Sequence, residues 1–88
     1  MKSRRSASEL DEDVLQFVRM CKHRARDGRP APTNADVASR FGYSSQGSGM
    51  AIVRAAEAAG LITVTRFNNF RIVSAADGSW STAAQGRA

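Results

Sequence analysis

Residues 33 to 73 constrain this chain most: two segments with apolar residues at helical spacing, each stopped by a glycine, precede two alternating segments joined by Phe67-Asn68-Asn69. Thr33 opens the first segment. Its hydroxyl can accept from a first-turn N–H, and Asp36 stands three residues on, where a capping box places its acidic member. Ala35, Val37, Ala38 and Phe41 supply the apolar contacts of this short helix, and Gly42 is the left-handed residue that stops it. Tyr43 follows as a packing residue of the turn. Ser44 or Ser45 then caps an alanine-rich helix that runs to Gly60, with Ile52, Val53, Ala56 and Ala59 available to a core. Leu61 to Arg66 and Phe70 to Ser74 alternate as strands, and the two asparagines suit the positive φ values of a tight hairpin turn. Ile62, Val64, Phe70 and Ile72 are expected to face the helices, leaving Arg66 and Arg71 at the hairpin's tip or rim.

A further helix precedes this segment. It begins near Ser8, where Ser8-Glu9-Leu10-Asp11 resembles a capping box, and Leu10, Val14, Phe17, Val18, Cys21 and Ala25 recur at spacings of three and four. Gly28 ends it, and Pro30 and Pro32 stiffen the connection that follows. The division that results is a flexible basic arm over 1–7, a domain over 8–74 and a disordered tail over 75–88, in which Trp80 either folds back or anchors a partner. The domain is mainly α with a small antiparallel β-hairpin. Its order, three helices and then a hairpin, is that of a winged helix-turn-helix.

Composition narrows the function. With 88 residues and 42% hydrophobic content the chain suits one small globular domain, and no run approaches the roughly 20 apolar residues of a membrane span. The basic N-terminus lacks the apolar run of a secretory leader, so a cytoplasmic address is expected. One cysteine and one histidine cannot supply the four ligands of a structural zinc site, and no metal or cofactor is expected. Asp11-Glu12-Asp13 point in different directions on a helix with no nucleophile nearby, and His23 lacks a partner at catalytic spacing, so an enzyme is not expected. The net charge of +5 favours a polyanionic partner. Bases cluster from Arg19 to Arg29 after the acids Glu9 to Asp13, a segregation that also complements the helix dipole.

Pro32-Thr33, Asp36-Val37-Ala38, Phe41-Gly42-Tyr43-Ser44-Ser45 and Ala59-Gly60-Leu61-Ile62 resemble the DNA-binding domain of LexA-type repressors over roughly residues 10 to 73. The resemblance implies that the third helix enters the major groove and the wing approaches the backbone. Carried over by position, the groove-facing residues are Ser45, Gln46, Gly47, Ser48, Met50, Ala51 and Arg54. Two departures matter. The sequence stops at residue 88, so the peptidase and dimerisation domain of that family is not expected. Gly47 and Gly49 stand where base-reading side chains would be, which makes direct readout thin.

Affinity is then expected to lean on phosphates, through Thr33, Arg40 and Ser44 near the second helix and Arg66, Asn68, Asn69 and Arg71 in the wing. Lys2, Arg4 and Arg5 are candidates for an arm in a minor groove. The function expected is that of a small bacterial or phage transcriptional regulator on double-stranded DNA. Neighbouring copies or another regulatory protein are further partners, and no membrane is. Two alternatives stand beside it: an architectural, excisionase-like factor that bends DNA, and a protein-binding adaptor or antagonist of another regulator.

Overall fold

The computed structural model describes residues 7–84. Three helices, α1 (Ala7–Arg26), α2 (Asn34–Arg40) and α3 (Gln46–Ala58), lead into an antiparallel hairpin of β1 (Ile62–Arg66) and β2 (Arg71–Ala75). This is the mainly helical architecture, and the element order, of a winged helix-turn-helix. No helix of the described residues is long and apolar enough to cross a membrane.

Residues three and four apart share a helix face, so α1 buries Val14, Phe17 and Cys21 as one stripe, with Leu10 and Val18 partly covered beside them. The helix already includes Ala7, so Ser8 lies inside it and not at its cap. Asp13 is also buried, because Tyr43 Oη donates to its Oδ2 at 2.8 Å and ties α1 to the turn between α2 and α3. Thr33 caps α2 with the full capping box: its Oγ1 accepts from Asp36 N at 3.0 Å, and Asp36 Oδ2 accepts from Thr33 N at 3.1 Å. Past α2, Gly42 N donates to Ser39 O and Tyr43 N to Ala38 O. That Schellman pair requires the positive φ of Gly42, and Gly28 and Gly60 close α1 and α3 in the same way.

Gly49 sets the approach of α2 to α3. It is buried, and a Cβ there would collide with the Asn34 carbonyl oxygen and come within 3.1 Å of Ala38 N. Ile52, Val53 and Ala56 continue the same inward face. Two alanines expected in the core are exposed. Ala35 lies two residues before Val37, about 200° round the helix from it, and Ala59 is the C-cap at the open end of α3.

In the hairpin, Ile62 pairs with Ala75, Val64 with Val73 and Arg66 with Arg71. The inward face therefore carries Val73, which is fully buried, while Phe70 and Ile72 are only half-buried. The expected inward pair Phe70 and Ile72 is out of phase by one residue, a shift that exchanges the two faces of a strand. No described residue other than glycine has a positive φ, so Asn68 and Asn69 make the turn without one.

The segment after Ala75, expected as a disordered tail, returns along β2 as far as Thr82. Ala75 N donates to Trp80 O at 2.9 Å and Thr82 N to Val73 O at 2.9 Å, while Val73 N donates to Thr82 Oγ1 at 3.0 Å. Ala83 N reaches Arg29 O at 3.0 Å, and Trp80 packs on the core. Backbone groups at an open strand edge need partners, and this segment supplies them.

Candidate nucleic-acid interface

With Gly49, Ile52, Val53 and Ala56 turned inward, α3 presents its other side to solvent. Gln46, Met50 and Arg54 follow one another at intervals of four and are all exposed, as are Gly47 and Ala51. Ser45 caps the helix, its Oγ accepting from Gly47 N at 3.1 Å, and Ser44 is exposed just before it. Ser48 is half-buried, so it stands aside from this face. Seen from the residues up, the outer face is narrow. A glutamine, a methionine and an arginine can touch a ligand, and the rest is small.

A groove of about 480 Å³ runs between the wing and the start of α2. Thr33 and Asn34 line one side, Phe67, Asn69 and Phe70 the other, and Arg24, Arg66, Arg71 and Gln46 also border it. The groove thus joins the first residue of α3 to the wing.

Of the two wing arginines, Arg66 stands exposed at the rim as expected, whereas Arg71 does not. Arg71 lies on the inward face of β2, half-buried, with Nη1 donating to Asn34 Oδ1 at 2.7 Å and Nη2 to Pro32 O at 2.8 Å. Burial lowers its pKa, and its Nε is enclosed without a hydrogen-bond partner. Arg71 is therefore a clamp between the wing and the chain entering α2, not a side chain held out to phosphate. The correction follows from the register, since the one-residue change of phase brings Arg71 inside. Arg66, its cross-strand neighbour, is exposed and forks onto Glu57, with Nη2 to Oε1 at 2.8 Å and Nη1 to Oε2 at 3.2 Å. The hydrogen bonds from Arg66 hold the Glu57 carboxyl below the usual range, and Glu57 raises the arginine in return.

Arg40 also lies elsewhere. Its guanidinium is 5.7 Å from the centre of the Phe41 ring, and it borders a second groove, of about 360 Å³, with Arg19, His23, Arg24, Asp27 and Arg29. No residue of α3 or the wing lines that groove. Thr33, Asn68 and Asn69 are exposed. Lys2, Arg4 and Arg5 lie outside the described residues.

Comparison with protein-family models, curated proteins and solved structures finds no match to this chain. The chemistry must be read from the site itself. Among the described residues no group of His, Cys, Asp or Glu gathers to hold a metal ion. Three participants have no counterpart among the sequence candidates: Asn34 and Glu57, which receive the wing arginines, and Phe67, whose ring forms part of the groove wall. The hairpin register is the signal that exposes them. Once Arg66 is set opposite Arg71, both share a face with the helices, and the half-buried Arg71 must find partners there.

Proposed function

We propose that this chain binds double-stranded DNA as a small transcriptional regulator, laying the outward face of α3 in the major groove. The observation that carries the reading is the alignment of Gln46, Met50 and Arg54 on one exposed helix face, beside an arginine-bordered groove that Gln46 shares with the wing. A B-form major groove admits a helix, glutamine can bond adenine through two atoms, and arginine can bond guanine likewise. Thr33, Ser44 and Asn69 flank that face as exposed hydroxyl and amide groups suited to phosphate oxygens. The resemblance to the DNA-binding domain of LexA-type repressors supports the same reading. The regulator would act in the cytoplasm, without a cofactor and without catalysing a reaction.

A second reading is favoured by one feature of α3. Gly47 and Ala51 occupy outward positions without a polar side chain, so few bases are read directly and DNA shape must supply the remainder. An architectural factor that bends DNA would need no more than this. Binding of genomic fragments, followed by fluorescence anisotropy from low to moderate salt, tests the shared claim. The affinity is expected to fall steeply with salt, and Arg54→Ala is expected to change the ranking of sites. Absence of salt-dependent binding to any fragment overturns the reading.

A further inference from the structure

The wing tip differs from the phosphate-contacting tip expected of it, because Arg71 is turned inward and Arg66 is paired at the surface. Arg71 directs its donors to Asn34 and Pro32, and Arg66 is forked onto Glu57. What the tip offers outward is Phe67, 49% exposed, followed by the exposed amides of Asn68 and Asn69. Phe67 is held firmly. Its ring stacks on Phe70 with centroids 4.6 Å apart and planes 12° from parallel, and its N–H donates to Phe70 O at 2.9 Å. One ring face is thereby covered and the other is left for a ligand. The ring also borders the groove that reaches Gln46, so an aromatic surface and the start of α3 share one concavity.

We propose that Phe67 is an apolar wedge that enters the DNA minor groove and inserts between adjacent base pairs, kinking the duplex. This inference rests on the DNA-binding reading. The minor groove of A·T pairs presents only acceptors, adenine N3 and thymine O2, which match the amide donors of Asn68 and Asn69. Apolar side chains inserted there unstack a base step and bend the duplex by roughly 20–90°. Flexible pyrimidine–purine steps yield most easily. Phe70, stacked behind Phe67, keeps the inserted ring from folding away. The wing then contributes through stacking on bases, and its contribution is insensitive to salt.

The test uses the full chain and a duplex of about three helical turns with a central TA step in A·T-rich flanks, labelled at both ends for energy transfer. The wild type is expected to bind and to shorten the end-to-end distance. Phe67→Ala is expected to bind about tenfold more weakly, as loss of one aromatic stacking contact implies, with an unchanged salt slope and most of the bend lost. Phe67→Leu keeps an apolar wedge and should retain much of the bend, whereas Phe67→Gln should behave as the alanine variant does. Circular dichroism confirms the fold of each variant, and the leucine and glutamine variants decide the matter if the alanine variant unfolds. If every variant that removes the ring bends the duplex as the wild type does, the wedge is wrong and the DNA reading stands. If the wild type prefers single strands to the duplex, the wedge is overturned as well. If the wild type shows no salt-dependent binding to any duplex, both readings fall together.

Discussion

Gly47 and Gly49 stand two residues apart in α3, yet only one of them holds the fold together. A methyl at Gly49 meets the backbone of α2, which cannot move without disturbing the capped start of that helix. Gly49→Ala is expected to lower stability by about 1–3 kcal/mol, the usual cost of overpacking, in a denaturant titration. A methyl at Gly47 meets only the Ser45 hydroxyl, 3.2 Å away, and alanine is the better helix former. Gly47→Ala should therefore stay within about 1 kcal/mol of the wild type, and equal losses at both positions would refute the packing role. Cys21 makes a different prediction. Burial raises its thiol from 9.0 to about 12, against the smaller opposing effects of Arg71 and Arg24. Above the ordinary value the unfolded chain releases the proton while the folded chain keeps it. Stability then falls as pH rises, by at most about 1.4 kcal/mol per pH unit, and below the ordinary value the thiol contributes no pH dependence. Cys21→Ala should flatten that alkaline decline even though the cavity lowers its absolute stability. Parallel curves for the two proteins would show that the thiol is not held protonated.

Among the elements, Arg71 ties the wing to the start of α2, beside the core contacts of Ile62 and Val73 and the pair of Arg66 with Glu57. The guanidinium crosses from β2 to Asn34 and Pro32, so one side chain joins the hairpin to the start of α2. Arg71→Ala is expected to cost about 1.5–3 kcal/mol in thermal or chemical unfolding, the range for hydrogen bonds that involve a charged partner. Lysine lacks the fork and should not restore both bonds. Unchanged stability with a weaker, flatter salt dependence of DNA binding would instead make Arg71 a phosphate contact. The helices were legible in the sequence because their determinants are local: apolar spacing, the caps Thr33 and Ser45, and a glycine after each C-terminus. The hairpin phase was not legible. Phe70 and Ile72 alternate in one phase and Val73 in the other, so side-chain pattern does not choose between them. The pairing of Arg66 with Arg71 does. Trp80 folds back on the core, one of the two alternatives its sequence offered, but the pairing of Ser81 to Ala83 was not legible because it runs through backbone groups and the Thr82 hydroxyl, which leave little trace in hydropathy. The candidate site was affected in the same way. α3 carried its outward residues on a predictable face, whereas the partners of the wing arginines depend on contacts distant in sequence.

At the scale of the whole molecule, 13 basic and 8 acidic residues give a net charge of +5, but their arrangement decides where a polyanion can lie. Arg54 is exposed on α3, while Arg19, Arg29 and Arg40 border the second groove, which no residue of α3 or the wing lines. A duplex seated on α3 and the wing neutralises the first set only. A duplex that also wraps toward α1 and α2 neutralises both. Each phosphate contact adds about −0.9 to the slope of log affinity against log salt, so the slope counts the phosphates that the protein neutralises. Screening over about 8 Å at physiological ionic strength keeps distant charges from contributing. With DNA confined to α3 and the wing, Arg40→Ala and Arg29→Ala should each leave the slope unchanged, whereas Arg54→Ala should alter site preference. A loss of about one in the slope for each second-groove variant would place DNA across both grooves, which suits an architectural factor that wraps DNA. Loss of slope at Arg40 and Arg29 with no effect at Arg54 would move the duplex off α3 altogether and overturn the proposed interface.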